Sequence, residues 1–381
     1  MKVSMRYCES YDYEKLRAAL QQSIQSLGGF EPYISPGQKV LLKPNLLMKK
    51  SPEEATTTHP VFVQALASLL IEYGVSVVIG DSPGGPFTAG AMNSIYKSTG
   101  MEAAAAQSSA TLNRNFGGYE AENPGGVIMK RLTLASMLKD VDAVICVAKL
   151  KTHGMMTYTG AAKNMFGIVP GIAKAEYHFN MPDYDVFADA LLDICIAGNP
   201  VLSFIDGIVG MEGNGPASGT PINTGAVLAS PSPYHLDMVA CRLIGLAAAD
   251  VPMLRRAVAR GMVKEDMSDI QLVGDSYEAF GNRPYKVPAT KGIMNITRFK
   301  IPEFVKNFIT RHIQTRPDFD LKICNGCGAC REACPAKIIE IKNGKATLDF
   351  KDCIRCYCCQ ELCPKKAITI YRPRFSRFMK L

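Results

Sequence analysis

Residues 324–335 read C-N-G-C-G-A-C-R-E-A-C-P, and residues 353–364 read C-I-R-C-Y-C-C-Q-E-L-C-P. In each segment three cysteines follow at intervals of three, a fourth comes four residues later, and a proline follows it. The two segments repeat at an offset of 29 residues, from 324 to 353, and Glu332 recurs at the same offset as Glu361. The repeat predicts a duplicated module with pseudo-twofold symmetry.

This cysteine spacing is that of bacterial ferredoxins, in which each run holds a [4Fe–4S] cluster and donates its fourth cysteine to the other cluster. The sequence therefore predicts two [4Fe–4S] clusters with exchanged ligands. The first cluster is expected to bind Cys324, Cys327, Cys330 and Cys363. The second is expected to bind Cys353, Cys356, Cys359 and Cys334.

Disulfide bonds and zinc sites fit these cysteines less well. Disulfides are disfavoured because the opening M-K-V-S-M-R-Y-C is not a secretory leader and because the spacing is a metal pattern. Zinc sites use two C-x-x-C pairs rather than two sets of three plus one. Cys358 is left over in the second segment; we interpret it as a buried thiol, and ligation in place of Cys359 is the alternative.

Length and composition limit what the rest of the chain can be. At 381 residues the chain exceeds a two-cluster module and predicts two or three domains. Hydrophobic residues make up 47 %, yet no apolar run approaches the roughly 18 residues of a membrane span. With no secretory leader either, we expect a cytoplasmic protein, and the cysteine content favours a reducing, anaerobic setting.

The formal net charge of +8 overstates how basic the loaded protein is. A cluster with four thiolates carries roughly −2, so two clusters lower the net charge to about +4. No zinc-finger, helix-turn-helix or aromatic RNA-binding motif occurs in the sequence. We therefore predict no nucleic-acid partner.

Residues 1–290 alternate between short apolar segments and amphipathic ones. Val141–Ala148 is the clearest central strand, Val75–Ile79 predicts another, and Ala89–Ser98 predicts a helix. The alternation predicts an α/β fold, with a mostly parallel sheet and helices on both faces. Ligands of such sheets bind at the carboxyl ends of the strands.

The chain divides into four predicted parts. Residues 1–290 form the α/β domain, 291–317 a basic amphipathic connector, 318–371 a small α+β ferredoxin-like domain with two clusters, and 372–381 a basic tail. We favour docking of the connector and tail against the protein. Peripheral contact with an anionic membrane surface is the alternative.

Four loops that follow predicted strands are rich in glycine or lysine. They are K-P-N (43–45), G-D-S-P-G-G (80–85), K-L-K-T-H (149–153) with its continuation to 164, and D-G-I-V-G-M-E (206–212). Lysine is costly to bury unpaired, so lysines at strand ends indicate an anionic ligand. Glycines before a helix offer backbone N–H groups, although a plain turn accounts for them equally well. The predicted ligand-binding residues are Lys43, Asn45, Gly84, Gly85, Lys149, Asn164, Asp206 and Glu212.

Acid–base chemistry is expected from His153, Lys151 and Lys163. His153 suits proton transfer near neutral pH, and a core histidine bonded to backbone is an equal alternative. The two lysines would also bind phosphate or carboxylate. Candidate metal ligands or proton carriers are Asp81, Asp206, Glu212 and Asp237. Capping and loop bonding are the alternative, which we prefer for Asp81.

Several segments resemble the family called domain of unknown function 362. They are L-K-T-H (150–153), T-G-A-A-K-N-M-F-G (159–167), D-G-I-V-G-M-E-G-N-G-P (206–216) and H-L-D-M-V-A-C (235–241). The resemblance covers roughly residues 38–250, most of the predicted α/β domain. It implies the same division of the chain, since a ferredoxin module is commonly attached in that family, and it implies no reaction. A similarity in layout alone is to the catalytic domains of nickel-pincer lactate racemases.

We predict an iron–sulfur protein that transfers low-potential electrons through its clusters to a substrate or cofactor in the α/β domain, as a ferredoxin-linked oxidoreductase. The expected partners are a ferredoxin or reductase and a small anionic ligand. One alternative is an electron carrier or scaffold that docks a partner complex. Another is a non-redox enzyme with structural or sensory clusters.

The two cluster loops differ in side chains. Gly326 and Gly328 of the first segment correspond to Arg355 and Tyr357 of the second. We expect the first cluster to be open to a partner and the second to lie beneath an aromatic ring and a cation. A nearby cation raises a cluster's potential, so the difference predicts a relay that enters through the first cluster and leaves past the second.

Overall fold

The computed structural model describes residues 1–171, 173–181, 183–281, 283–288, 315–350 and 352–371. The strands of its larger, α/β domain are β1 (Lys2–Tyr7), β2 (Lys39–Pro44), β3 (Ser76–Ile79), β4 (Thr111–Leu112), β5 (Gly118–Glu122), β6 (Arg131–Ala135), β7 (Ala143–His153), β8 (Thr157–Thr159), β9 (Leu202–Glu212), β10 (Thr220–Ser230) and β11 (Gln271–Gly274). Its helices are α1 (Tyr13–Ser26), α2 (Pro60–Tyr73), α3 (Ala89–Ser98), α4 (Met101–Ser108), α5 (Ala161–Asn164), α6 (Ala173–Asn180), α7 (Tyr184–Gly198), α8 (Pro233–Leu243) and α9 (Pro252–Ala259).

One mixed sheet organises this domain, in the order β11-β1-β10-β9-β7-β2-β3-β4, with β8 paired to β7. The run β9-β7-β2-β3-β4 and the pair β11-β1 are parallel, whereas β10 is antiparallel to both β1 and β9. The predicted mostly parallel sheet is therefore confirmed. Because β2, β3, β7 and β9 run in one direction, their carboxyl ends meet at one edge.

Helices cover both faces of the sheet. In β2, Val40 and Leu42 pack with residues of α1 to α4, and Leu41 between them packs on the opposite face with α5, α7, α8 and α9. This division follows because successive side chains of a strand point to opposite faces. All three side chains are fully buried. The predicted helices on both faces are confirmed.

The C-terminal module is a small α+β unit. It contains β12 (Arg316–Phe319), α10 (Ala329–Ala333), β13 (Ile339–Lys342), β14 (Lys345–Leu348), α11 (Cys358–Glu361) and β15 (Ile368–Tyr371). β12 pairs antiparallel with β15, and β13 with β14. Since β12 begins at Arg316, the module starts inside the predicted connector. Residues 291–314 of that connector and the predicted tail, 372–381, lie outside the described residues.

The module packs directly on the α/β domain. Tyr357 and Ile370 belong to the same buried cluster as side chains of β7 and α7. The side-chain nitrogen of the buried Gln360 donates to the carbonyl of Asn214 at 3.0 Å. Gly154 lies so close to Ile370 that a Cβ at this position would overlap with it. Within the described residues, no helix is long and apolar enough to cross a membrane.

Candidate functional site

A cavity of about 110 Å³ lies where the carboxyl ends of β2, β3 and β7 meet α11 of the module. The α/β domain contributes Asn45, Asp81, Gly84, Lys151, His153, Lys163, Asn164, Lys174 and His178. The module contributes Glu332, Cys358, Glu361 and Leu362. The cavity thus occupies the edge at which parallel sheets bind ligands, and both domains build its wall.

Lys151 presents a buried amine to this cavity. Its Nζ donates to Oδ1 of Asn45 at 2.6 Å and to the carbonyl of Thr56 at 2.7 Å. An ammonium group has three donors, so one remains for a ligand. Burial, with repulsion from Lys163 and Lys149, lowers the pKa of Lys151 to about 7. An amine with that pKa exchanges protons readily near neutral pH.

His153 bridges the two domains. Its Nδ1 accepts the backbone N–H groups of Met155 and Met156 at 3.1 and 3.2 Å. The ring proton is therefore on Nε2, which lies 3.1 Å from Oε1 of Glu361. Burial, followed by repulsion from Lys163, lowers the pKa of His153 to about 4. Burial would raise the pKa of Glu361, but His153 and Lys163 lower it to about 2, so a neutral ring faces a carboxylate.

Two polar groups of the cavity wall lack a partner within the described residues. Nδ1 of His178 is buried without a hydrogen bond, and its ring packs against Phe187 with centroids 4.4 Å apart. Nζ of Lys163 makes no hydrogen bond or ion pair there. Burial lowers the pKa of Lys163, whereas Glu361 and Cys358 oppose that shift. A ligand in the cavity would find both groups available.

A buried ion pair supports the cavity wall. Nζ of Lys43 lies 2.7 Å from Oδ1 of Asp81, and neither side chain is more than 3 % exposed. Lys43 also donates to Oδ1 of Asn164 at 3.2 Å, and Oδ2 of Asp81 accepts the N–H of Leu46 at 2.8 Å. The pair therefore fixes the loops after β2 and β3 relative to α5.

We expect Gly167→Ala to destabilise the protein through this pair. A Cβ at position 167 would overlap with Oδ1 of Asp81 and Nζ of Lys43, and neither atom can retreat without losing its partner. The free energy of unfolding should fall by about 1–3 kcal/mol, as in other overpacked sites, when measured by urea denaturation. Gly90→Ala is the matched control because a Cβ there meets open space. Equal losses in the two variants would contradict the prediction.

Lys149 and Asp206 form a second buried pair that does not line the cavity. Nζ of Lys149 lies 2.8 Å from Oδ2 of Asp206, which also accepts the N–H of His59 at 2.9 Å. Tyr11 donates to Oδ1 of Asp206 at 2.7 Å, and its ring stacks on His59 with centroids 3.5 Å apart. Because the protein itself occupies these groups, they tie β7 and β9 to the loops that follow β1 and β2.

The remaining predicted acids also serve backbone groups. Glu212 accepts the N–H of Lys286 at 2.8 Å, and Asp237 accepts those of Ala161 and Ala162 at 2.7 and 3.0 Å, capping α5. Among the described residues, no three His, Cys, Asp or Glu side chains are placed to hold a single metal ion. The contacts of Asp81, Asp206, Glu212 and Asp237 therefore favour capping and loop bonding over the interpretation as metal ligands.

The structure gathers only part of the predicted site around this cavity. Of the predicted ligand-binding residues, Asn45, Gly84 and Asn164 line it, together with the predicted catalytic residues His153, Lys151 and Lys163. The others, Lys43, Gly85, Lys149, Asp206 and Glu212, do not. His178 and Glu361 were not predicted. The recurrence of Glu332 as Glu361 was the available signal, since both glutamates line the cavity.

The cysteines of the first predicted ligand set surround a separate cavity. Its volume is about 20 Å³, and its wall includes Cys324, Cys327, Cys330 and Cys363. The fourth cysteine thus comes from the other run, and its sulfur accepts the N–H of Ala367 at 3.3 Å. None of the cysteines forms a disulfide. Four free thiols and an N–H donor around one void fit a cubane, which spreads its ligands over four irons rather than one ion.

The second set of thiols is also grouped. Burial raises the pKa of Cys359, and its neighbours Cys356, Cys353 and Cys334 raise it further. Arg355 and Tyr357 adopt φ angles of 56° and 60°, and the equivalent Gly326 and Gly328 adopt 68° and 82°. This left-handed conformation is uncommon for residues other than glycine. The two loops therefore have the same backbone shape despite their different side chains, as the repeat predicts.

Cys358 lies between the second thiol group and the large cavity. It is buried, lines the cavity, and shares α11 with Cys359. A hydrogen bond with Cys358 lowers the pKa of Cys356. The leftover cysteine is thus a buried thiol beside the predicted ligands and forms part of the cavity wall.

A larger cleft adjoins the cavity and leads outward. It measures about 790 Å³ and runs between α6 of the α/β domain and α10 of the module. The residues that it shares with the cavity are Gly84, Ala175, Glu332, Ala333 and Leu362. Gly85 lines only the cleft, as does the half-exposed Phe179. The cleft and the cavity therefore share part of one wall.

The fold and its cysteines define an iron–sulfur protein in which an α/β domain is joined to a ferredoxin-type module. A family described as a 4Fe-4S dicluster domain matches residues 316–364. The family described as domain of unknown function (DUF362) matches residues 40–242, and the chain belongs to it. The resemblance found in the sequence motifs is confirmed.

Two further comparisons give individual relatives. The chain is 35 % identical over 253 residues to the thylakoid-associated protein sll1697 of Synechocystis, covering 66 % of this chain and 77 % of that protein. Among solved structures, the lactate racemase apoprotein from Thermoanaerobacterium thermosaccharolyticum aligns with a TM-score of 0.38 and 12 % identity. That alignment covers 64 % of this chain and 57 % of the racemase chain.

Proposed function

We propose that the protein is an oxidoreductase that passes low-potential electrons through two [4Fe–4S] clusters to a small anionic ligand in the interdomain cavity. When bound, such clusters supply single electrons at low potential. The position of α11 carries the proposal. This helix contains Cys359, a predicted ligand of the second cluster, and also Cys358 and Glu361, which line the cavity. A ligand there would lie beside the electron source.

The exposure of the thiols supports a direction of transfer. Cys327 of the first set is exposed to solvent, whereas Cys356 and Cys359 of the second set are buried. A ferredoxin or reductase would therefore meet the first cluster, and the second would face the ligand. Tyr357 directly follows Cys356, is 1 % exposed and bonds to Thr315 at 2.6 Å, so it would help to screen the second cluster from solvent.

Proton supply in this proposal comes from the cavity wall. Each electron that reaches the ligand adds a negative charge, and a proton must follow to neutralise it. The free donor of Lys151, whose pKa is about 7, is suited to provide that proton at neutral pH. His153 is held by backbone N–H groups on one side and faces Glu361 on the other. It therefore helps to fix the module relative to the α/β domain at the cavity.

We also propose a cytoplasmic location. The curated relative carries a name that associates it with thylakoids, so a peripheral position on a membrane surface is the alternative. Fractionation of the native host cell, followed by a salt wash of the membranes, separates these two locations.

The proposal can be tested by stopped-flow spectroscopy under anaerobic conditions. Holoprotein is reduced with half an equivalent of dithionite per cluster, because dithionite supplies two electrons and each cluster accepts one. It is then mixed with small anions that contain a reducible bond, namely pyruvate, glyoxylate, fumarate and crotonate. We expect at least one of them to restore the visible absorption of the oxidised clusters. Lys151→Gln should slow this reoxidation by about 10²–10⁴-fold, the usual contribution of general acid catalysis. The matched control, Lys39→Gln, removes an exposed lysine at the opposite end of β2.

Two different outcomes would favour the alternatives. Reoxidation by oxidised benzyl viologen but by none of the four anions, in wild type and variant alike, would indicate an electron carrier or scaffold. Conversion of an added anion without any change in cluster absorption would indicate a non-redox enzyme.

A further inference from the structure

Helices α5 and α6 form one end of the cavity. A buried histidine there has a ring nitrogen without a hydrogen-bond partner. His178 from α6 is 5 % exposed, lines the cavity, and leaves Nδ1 without a hydrogen-bond partner in the described structure. Buried polar nitrogens in native proteins are nearly always bonded, so an unpaired one indicates a missing partner. A ligand that accepts a hydrogen bond from His178 would be that partner.

Lys163 gives an independent observation at the same place. It lies at the end of α5, lines the cavity, and has no ion-pair or hydrogen-bond partner among the described residues. His178 and Lys163 are close enough for their charges to interact: burial lowers the pKa of His178, Glu361 opposes that shift, and Lys163 adds to it. An unpaired ring nitrogen and an unpaired ammonium group therefore line the same space. The nitrogen is a donor in the tautomer that carries its proton on Nδ1.

The other charged side chains around this space have direct contacts within the protein. Asp81 is paired with Lys43 at 2.7 Å, and Glu361 faces His153 at 3.1 Å. Lys174 donates to the carbonyl of Ser82 at 2.7 Å and also bonds the carbonyl of Val169. Lys163 is left as the cation without a direct partner in this part of the described cavity. The Glu361 carboxylate interacts with Lys163 and lines the same cavity, so each further negative charge on a ligand would be repelled by it. A ligand with a single negative charge therefore fits better than one with two.

The size of the cavity limits the ligand further. A single water needs roughly 10–15 Å³ by the same measure, so 110 Å³ admits on the order of seven to eleven waters. A nucleotide or a flavin is far larger and would fit only the outer cleft. A compound with few non-hydrogen atoms fits, and a carboxylate gives it one charge and two acceptor oxygens.

We propose that the cavity binds a small monocarboxylate, whose oxygens accept hydrogen bonds from Nζ of Lys163 and Nδ1 of His178. This deepens the proposed function, on which it rests for the identity of the site. The other end of the ligand molecule would then point towards Lys151 and α11. His178 and Lys163 are thus positioning residues that select the class of ligand.

Isothermal titration calorimetry of oxidised, anaerobically purified holoprotein tests the proposal without any electron transfer. The probes are acetate, glycolate and pyruvate, with inorganic phosphate as the comparison for a dianion. We expect at least one carboxylate to bind and phosphate to bind more weakly. Lys163→Gln and His178→Leu should each weaken carboxylate binding by about 10- to 100-fold, the usual effect of losing a hydrogen bond to a charged group.

Two variants keep the test specific. His178→Asn retains a donor near the position of Nδ1, so its affinity should stay within about threefold of wild type, whereas His178→Leu lacks that donor. Lys39→Gln, at the amino end of β2, removes a charge far from the cavity and should bind as wild type does. Iron content and melting temperature report whether each variant is folded.

Absence of binding by all three carboxylates overturns the proposal, as does binding that survives both Lys163→Gln and His178→Leu. Tighter binding of phosphate than of any carboxylate also overturns it. The proposed redox function fails separately: carboxylate binding with no cluster reoxidation would leave the binding site in place and remove only the electron transfer.

Discussion

Replacement of Cys334 by alanine is expected to remove the second cluster and to spare the first. In the wild type, two [4Fe–4S] clusters give about eight irons per chain after anaerobic purification, and the variant should retain about four. The physical reason is ligand exchange: Cys334 follows the first cysteine triad in sequence but neighbours Cys353 and Cys359 in the fold. Iron analysis and electron paramagnetic resonance of the reduced protein measure the loss.

Two reference variants identify the cluster that is lost. Cys356→Ala lies within the second triad, and its resonance spectrum should match that of Cys334→Ala. Cys327→Ala lies within the first triad and should leave the complementary spectrum. Cys358→Ser should keep the full iron content, because Cys358 is outside both ligand sets. A Cys334→Ala spectrum that matches Cys327→Ala would refute the exchange, and iron loss in Cys358→Ser would make that residue a ligand.

Replacement of Asp206 by alanine should lower the free energy of unfolding by about 3–5 kcal/mol, because it leaves a buried charge without its partner. Asp206 is fully buried and accepts hydrogen bonds from Lys149, Tyr11 and the backbone of His59. Its loss leaves the buried ammonium of Lys149 without an opposite charge, which is the costly way to break an ion pair. Urea denaturation followed by circular dichroism measures the effect.

A double variant separates a stranded charge from lost packing. Lys149→Met combined with Asp206→Leu removes both charges while filling the space, and replacing both members of a buried pair is often close to neutral. The double variant should therefore be more stable than Asp206→Ala. If it is equally unstable, the cost comes from packing and hydrogen bonds to Tyr11 and His59. Neither Lys149 nor Asp206 lines the interdomain cavity, so carboxylate binding by the folded double variant should persist.

Local sequence patterns were sufficient for much of the fold. The predicted helix Ala89–Ser98 matches α3 at both ends, since its amphipathic spacing and the capping Thr88 are local features. Strand β10 was not predicted. Its sequence, T-P-I-N-T-G-A-V-L-A-S, includes Pro221 and Gly225, and its antiparallel place between β1 and β9 depends on long-range pairing. Periodicity cannot report such pairing.

The sequence predicted which loops lie near the candidate site, but not which of their side chains line the cavity. Parallel strands bring their carboxyl ends together, so Asn45, Lys151 and His153 were expected at one edge. Lys149 and Lys151 differ in position because the pairing of β7 with β9 jumps between them, from residue 206 to residue 211. His178 and Glu361 approach the cavity only through tertiary packing, and Glu361 does so across a domain boundary.

The shared helix α11 has a consequence for energetics. A carboxylate in the cavity and an electron on the adjacent cluster would be two negative charges separated by little more than Cys358 and Glu361. Like charges disfavour each other, so each would weaken the binding of the other. Thermodynamic linkage makes this penalty equal in both directions. Bound ligand would therefore oppose reduction of the second cluster until a proton neutralises one of the two negative charges. Electron entry would in this way be coupled to proton uptake in the cavity.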